Sequence, residues 1–141
     1  MIRPGPAVGA LALVSGRVGA GSLSLDVRAD LPSREDQWGF RSHTLLGGLG
    51  ACVHKGLVFW CLVGSPGVFF ASDAKRGSAF FLLAGTRVGG EVTLLEPIGL
   101  RAQTDLSFPA VRPNVIASSG ETWEADDLSL SLGAALVWRF R

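Results

Sequence analysis

The sequence predicts an all-β fold, an antiparallel up-and-down β-barrel, from three observations. The chain is apolar overall, with 48% hydrophobic residues and a mean hydropathy of +0.35, yet no run reaches the roughly 18–20 apolar residues of a transmembrane helix. Apolar and polar residues alternate with a period of two over long stretches. The breaks between these stretches are alternately short and long, as turns and loops are in membrane-spanning barrels.

The alternation is clearest from Ile98 to Phe108, where even-numbered positions are mostly apolar and odd-numbered positions are polar or glycine. A helix would distribute these residues around its circumference, whereas a strand separates them onto two faces. The stretches exceed the usual strand length of about 5–6 residues and suit the roughly 9–11 tilted residues that cross a bilayer. Similar alternation covers residues 23–31, 80–94 and 127–140. Residues 40–53 alternate weakly, and residues 6–14 and 57–70 are apolar on both faces, but turns connect each of these to a clearer neighbour, so they are also predicted to be strands.

Seven strands are therefore predicted, separated by breaks at residues 15–17, 32–37, 54–56, 72–77, 95–97 and 110–126. A single-chain bacterial barrel has an even number of strands, about eight at minimum, and lipid does not tolerate an unpaired edge. We therefore expect residues 1–141 to form one barrel domain that lacks its signal peptide and first strand. Alternatively, residues 1–22 are a signal peptide, with Arg3 before an apolar segment and cleavage near Ala20.

The polar faces are expected to line a narrow lumen in which acidic residues pair with arginines. An eight-stranded barrel is just wide enough for its own side chains, which predicts a plug and not a channel. The expected polar network comprises Asp26, Arg28, Asp30, Arg87, Glu91, Arg101, Gln103, Asp105 and Arg139.

The opposite faces then contact lipid, with leucines at positions 100, 106, 130, 132 and 136. A soluble barrel of lipocalin type, which binds a small apolar ligand, would reverse this orientation. Its leucines would fill the interior and its arginines would face water. The sequence alone is compatible with either orientation, but with none between them, because the side-chain period of a strand is two.

Aromatic residues fall near the predicted strand ends, where membrane barrels carry aromatic girdles. Trp favours the membrane–water interface because its ring is buried while its N–H reaches water. The predicted girdle comprises Trp38, Trp60, Trp138 and Phe140. The alternative interpretation is that these side chains are ordinary core aromatics.

The two cysteines, Cys52 and Cys61, flank the predicted turn at residues 54–56. A hairpin centred there places them on facing strands, and an oxidising compartment favours their pairing. We expect a disulfide with Cα atoms within about 4.4–6.8 Å; the alternative is two buried free thiols.

Other chemistry has little support in the sequence. The net charge of +1 provides no basic excess for nucleic acid. The two histidines, His43 and His54, have no further ligands at metal-binding spacing. Ser42 adjoins His43, and some outer-membrane barrels are lipid-modifying enzymes that use Ser and His, but no Gly-x-Ser-x-Gly elbow occurs. We therefore expect no enzymatic activity and no cofactor.

Several segments resemble the small outer-membrane β-barrel proteins of Gram-negative bacteria, and more narrowly the uncharacterised barrels of myxobacterial type. These segments are residues 23–32, the Cys-turn-Cys hairpin at 50–61, residues 100–109 and the final strand at 130–140. The resemblance implies an integral outer-membrane protein that contacts lipid and acts structurally or through its external loops. It also implies that barrel-assembly machinery recognises the C-terminal strand, although the chain ends in Arg141 and not in an aromatic residue.

Overall fold

A computed structural model describes residues 9–30, 41–72, 78–112, 114–116, 120, 122–124 and 127–140. The strands in these ranges are β1 (Gly9–Val18), β2 (Gly21–Asp30), β3 (Arg41–Lys55), β4 (Val58–Ser72), β5 (Ser78–Leu95), β6 (Ile98–Val111), β7 (Asn114–Ile116), β8 (Thr122–Glu124) and β9 (Ser129–Phe140). Within the described ranges, no helix is long and apolar enough to cross a membrane.

Seven long strands form one closed barrel in the order β1-β2-β3-β4-β5-β6-β9. Each strand pairs antiparallel with the next along this order. The short strands β7 and β8 form a separate two-stranded sheet within the connection from β6 to β9. The predicted all-β class, antiparallel neighbours and seven long strands are therefore confirmed.

Tight turns join β1 to β2, β3 to β4 and β5 to β6 at one end of the barrel, called here the turn end. The opposite end, where β2 ends and β3 begins, is called the loop end. Gly19 and Gly56 have φ angles of 61° and 63°, a conformation that a two-residue hairpin turn requires and that glycine adopts without strain. These glycines fix where β1 and β3 end.

The predicted break at residues 15–17 is therefore wrong. β1 continues through Ser15–Arg17, which pair with Ser22–Ser24, and the chain reverses only at Gly19. The predicted break at residues 54–56 is likewise displaced, because His54 and Lys55 still belong to β3. In both hairpins, the glycine with positive φ sets the turn, and the polar residues before it continue the strand.

The barrel closes through a parallel pairing of β1 with β9, from Leu13 opposite Val137 to Gly16 opposite Phe140. An odd number of up-and-down strands leaves the first and last strands running in the same direction, so they meet in parallel. The sequence predicts an unpaired edge at the first strand, which suggests an eighth strand. The predicted unpaired edge is wrong, because β1 pairs with β9. Seven strands suffice to close the sheet.

Period-two alternation places the leucines on the outside of the barrel and the charged network residues inside. Leu130, Leu132 and Leu136 face outward and are 68%, 80% and 66% exposed, whereas Arg101 is completely buried inside the barrel. Leu100 and Leu106 also face outward. The interior contains small apolar clusters around Val137 and the two cysteines, together with buried charged side chains.

The predicted disulfide between Cys52 and Cys61 is confirmed. The two residues lie directly opposite each other on β3 and β4, and both are buried. Their Cα atoms are 4.0 Å apart, closer than the predicted range of about 4.4–6.8 Å, because directly opposed residues of an antiparallel pair approach closely.

Replacing both cysteines with alanine is expected to lower the free energy of unfolding by about 2–3 kcal/mol, because the bridge closes a short loop that otherwise gains entropy on unfolding. Denaturant titration in detergent micelles measures this change. The wild-type protein kept reduced throughout refolding provides the control and should match the variant. Equal stability of oxidised wild type and variant would contradict the expectation.

Candidate functional site

An ion-pair cluster centred on Arg87 crosses the middle of the lumen. Arg87 Nη1 donates to Asp26 Oδ2 at 2.6 Å, and its Nε and Nη2 donate to Asp105 Oδ1 and Oδ2 at 2.7 and 2.9 Å. Asp105 is the cross-strand neighbour of Arg87, whereas Asp26 belongs to β2 on the opposite wall. The Arg87 and Asp26 side chains are almost fully buried. The cluster therefore links opposite walls of the barrel.

A second cluster lies nearer the turn end and is centred on Arg101. Its Nε and Nη2 donate to Glu91 Oε2 at 2.8 and 2.6 Å. The Arg101 guanidinium also lies 4.4 Å from the centroid of the Phe59 ring, a cation–π arrangement that is stronger where water is excluded. Arg101 Nη1 and the neighbouring Gln103 Oε1 are buried, with no hydrogen-bond partner among the described residues.

The third ion pair lies at the loop end and is more open to water. Arg28 Nε donates to Asp30 Oδ1 at 2.7 Å, and the two side chains are 31% and 13% exposed. Both residues belong to β2, two positions apart, so this pair does not connect strands. Partly exposed ion pairs of this kind contribute little to stability.

Glycines on the lumen face make room for these side chains. Gly48 lies opposite Asp26 on the neighbouring strand, and a Cβ at position 48 would collide with the Asp26 carboxylate. A Cβ at Gly89 would collide with a backbone oxygen of β6 and with the Phe59 ring. Gly47, by contrast, has open space where its Cβ would point. The lumen is thus filled so closely that some positions accept no side chain.

A hydrogen bond that sequence reasoning missed lies at the turn end. Ser22 Oγ and His54 Nε2 are 2.7 Å apart, and the His54 ring lies 5.8 Å from the Phe59 ring. The predicted turn at residues 54–56 includes His54, although the even number of His54 places it on the same face as Cys52 once β3 continues to Lys55. That parity is the sequence signal that could have found it.

The adjacent Ser42 and His43 do not form a site. Successive side chains of a strand point to opposite faces, and His43 faces outward, where it stacks on Phe70 with ring centroids 5.5 Å apart. The side chain of Ser42 lies outside the described part of the structure.

The predicted aromatic girdle is described only in part. Trp60 and Trp138 face outward, 46% and 49% exposed, and each lies two residues from a strand end at the turn end. Trp38 lies outside the described residues, as do the side chains of Phe140 and of the predicted lumen residue Arg139.

The arrangement resembles a sealed polar core more than a reactive site. The seven charged network residues with described side chains all belong to one of the three clusters. Among the described residues, no group of three or more His, Cys, Asp or Glu side chains could hold a metal ion. Comparisons with protein-family models, with curated proteins and with solved structures found no match. The function must therefore be inferred from the geometry.

Replacing Arg87 with methionine is expected to lower the free energy of unfolding by about 3–5 kcal/mol, because two buried carboxylates lose their partner. The matched control is Arg28→Met, which breaks the partly exposed pair and should cost about 0–1 kcal/mol. Denaturant titration in micelles compares the two variants. Similar losses for both would show that the central cluster has no special role.

The two adjacent glycines of β3 offer a second matched comparison. Gly48→Ala should lower the free energy of unfolding by about 1–3 kcal/mol, because the added methyl group overpacks the lumen against Asp26. Gly47→Ala should leave stability unchanged or raise it by about 0.4–1 kcal/mol, since alanine restricts the unfolded chain. Thermal unfolding monitored by circular dichroism tests both. A more harmful substitution at position 47 would show that the two faces are assigned the wrong way round.

Proposed function

We propose that the protein is an integral β-barrel of the bacterial outer membrane, with a plugged lumen and a structural or surface-interaction role through the segments at its loop end. One observation carries the proposal. The outward faces of the strands are apolar all around the barrel, while the charged strand side chains that the structure describes point inward, apart from Lys55 at the end of β3. Lipid is the environment in which such an apolar outer face is stable. Inside, the seven charged network residues with described side chains each meet an opposite charge.

The outward surface is too apolar for a protein surrounded by water. Soluble monomers rarely expose a contiguous apolar patch larger than a few hundred Å², whereas here exposed leucine, valine and phenylalanine side chains occur on every strand from β2 to β6 and leucines continue along β9. The ionisable side chains described on this outward face are His43 and Lys55, near the two ends of β3. A charged side chain such as arginine at the midplane of a lipid-facing surface would cost about 2–4 kcal/mol. This cost accounts for the placement of His43 and Lys55 near strand ends and not at mid-strand.

The positions of Trp60 and Trp138 support the same orientation. Both lie at the turn end and face outward, as expected for residues at a membrane–water interface. We propose that the turn end lies at the periplasmic side and that the longer connections face outward from the cell. β9 would then supply the strand that barrel-assembly machinery recognises.

The lumen favours a plug over a ligand site. A soluble barrel that binds an apolar ligand needs an apolar cavity, whereas the middle of this barrel is occupied by Arg87, Asp26 and Asp105. No catalytic role is proposed, because the charged network side chains that the structure describes are paired with one another.

Membrane fractionation tests the location directly. Expressed with a signal peptide in a Gram-negative host, the protein should sediment with outer membranes and resist extraction by alkaline carbonate. A chain that remains monodisperse in buffer without detergent would instead belong to the soluble class.

Introducing an arginine on the outward face distinguishes lipid from water. Leu132, 80% exposed, lies opposite Thr104, midway along β6. Leu132→Arg should lower the free energy of unfolding from lipid vesicles by about 2–4 kcal/mol. The control, Val18→Arg at the turn end, should change the free energy of unfolding by less than about 0.5 kcal/mol. If the outward face were in water, Leu132→Arg would also change it by less than about 0.5 kcal/mol, which would contradict the membrane location.

A further inference from the structure

Two buried polar atoms on the lumen face of β6 lack hydrogen-bond partners. Arg101 Nη1 is a donor and Gln103 Oε1 is an acceptor, and neither has a partner among the described residues. Arg101 is completely buried and Gln103 is 6% exposed. Because alternate residues of a strand point to the same side, the two side chains are neighbours inside the barrel. Buried polar groups in native folds are normally satisfied, by ordered water where no protein group reaches them.

The other groups of the Arg101 side chain are already engaged. Its Nε and Nη2 donate to Glu91 Oε2, and the face of the guanidinium lies 4.4 Å from the centroid of the Phe59 ring. The guanidinium is planar and its N–H groups have fixed directions. Arg101 therefore cannot turn Nη1 towards a different protein group without breaking its contacts with Glu91 and Phe59, so Nη1 remains available to a ligand.

Glycines flank Gln103 on both neighbouring strands. Gln103 lies opposite Gly89 on β5 and Gly133 on β9, so neither position offers a side-chain donor to its amide oxygen. The Gly89 side is filled, because a Cβ there would lie 2.8 Å from Phe59 Cζ. A Cβ at Gly133 would instead lie 3.7 Å from Gln103 Cγ and 3.9 Å from Leu11 Cδ2, which are ordinary contact distances. A gap at least as large as a methyl group therefore lies beside Gln103, and a water molecule needs a similar space.

We propose that one water molecule binds in this gap, where it accepts a hydrogen bond from Arg101 Nη1 and donates one to Gln103 Oε1. The ligand must both accept and donate, because one of the two unpaired atoms is a donor and the other is an acceptor. Water is a small neutral molecule that does both, and buried waters bind to polar groups that the protein leaves unsatisfied. The site lies inside the lumen, so the inference does not depend on whether lipid surrounds the barrel.

The charges of the lumen disfavour an ion at this position. The described network has three arginines and four carboxylates, which are Arg28, Arg87 and Arg101 with Asp26, Asp30, Glu91 and Asp105. An anion would add to this negative excess, and it would also need the Gln103 amide to present its nitrogen and not its oxygen. A metal cation would face the N–H groups of the Arg101 guanidinium. A neutral ligand avoids both costs, since isolated charges are unfavourable away from bulk water.

A crystal structure of the detergent-solubilised protein, grown with bromide in place of chloride, tests the identity of the ligand. The expected result is an electron-density peak about 2.7–3.2 Å from both Arg101 Nη1 and Gln103 Oε1, without an anomalous signal at the bromine absorption edge. An anomalous peak would assign the site to an anion and overturn the proposal. A direct hydrogen bond between the two side chains, or no density between them, would also overturn it.

Gln103→Met tests the same site in solution, because methionine is similar to glutamine in length but has no amide. If water joins the two side chains, the variant removes one of its partners, and the denaturant midpoint of unfolding in micelles should fall. If the site is empty, the wild-type protein carries an unsatisfied buried acceptor, and its removal should raise the midpoint. A midpoint that rises or stays the same would therefore contradict the proposal.

Gly133→Ala tests whether the gap is occupied. A methyl group at position 133 has room if the gap is empty, and the midpoint should then rise, because alanine fills the gap and restricts the unfolded chain. If water occupies the gap, the methyl group displaces it and the midpoint should fall. The matched control is Gly47→Ala, where a Cβ meets open space and the midpoint should stay the same or rise. A rise for Gly133→Ala equal to that of the control would overturn the proposal.

Discussion

The ion pairs that Arg87 makes with Asp26 and Asp105 are the interaction on which the rest of the barrel depends. They connect β2 with β5 and β6 across the lumen. Removing one member of such a buried ion pair leaves an unpaired charge away from water and destabilises the fold. Because strand side chains alternate with a period of two, fixing these three residues inside determines the face of every neighbour on their strands. The leucines of β6 must then point outward, and Gly48 must remain without a side chain.

The packing of the lumen differs between the two ends of the barrel, one being densely filled and the other more open. At the turn end, the disulfide, Phe59 and the pair of Arg101 with Glu91 fill the interior. At the loop end, the pair of Arg28 with Asp30 is partly exposed and lies within one strand. This gradient suits a protein that displays its longer connections from a fixed base.

Alternation alone predicted the strand count and which residues share a face, because an uninterrupted pattern such as Ile98–Phe108 separates its residues into two sets. It left open which of the two faces lies inside the barrel. The disulfide followed from the spacing of Cys52 and Cys61 around a turn. The position of the first turn did not follow, because Ser15-Gly16-Arg17 has turn-like composition, whereas the positive φ of Gly19 depends on cross-strand pairing. The parallel closure of β1 on β9 was also missed, since it joins segments more than a hundred residues apart and has no local signal. The outward leucines support the proposed membrane location.

Site-directed spin labelling along β6 tests most directly whether lipid surrounds the barrel. Nitroxides at Leu100, Ala102, Thr104 and Leu106 of the vesicle-reconstituted protein report collisions with oxygen, which dissolves in lipid, and with a water-soluble nickel complex. If lipid surrounds the strands, all four labels collide strongly with oxygen and weakly with nickel, and the oxygen signal is highest near the middle of β6. Strong nickel collisions at all four positions, without a gradient in oxygen, would show that this face is in water and would contradict the membrane barrel.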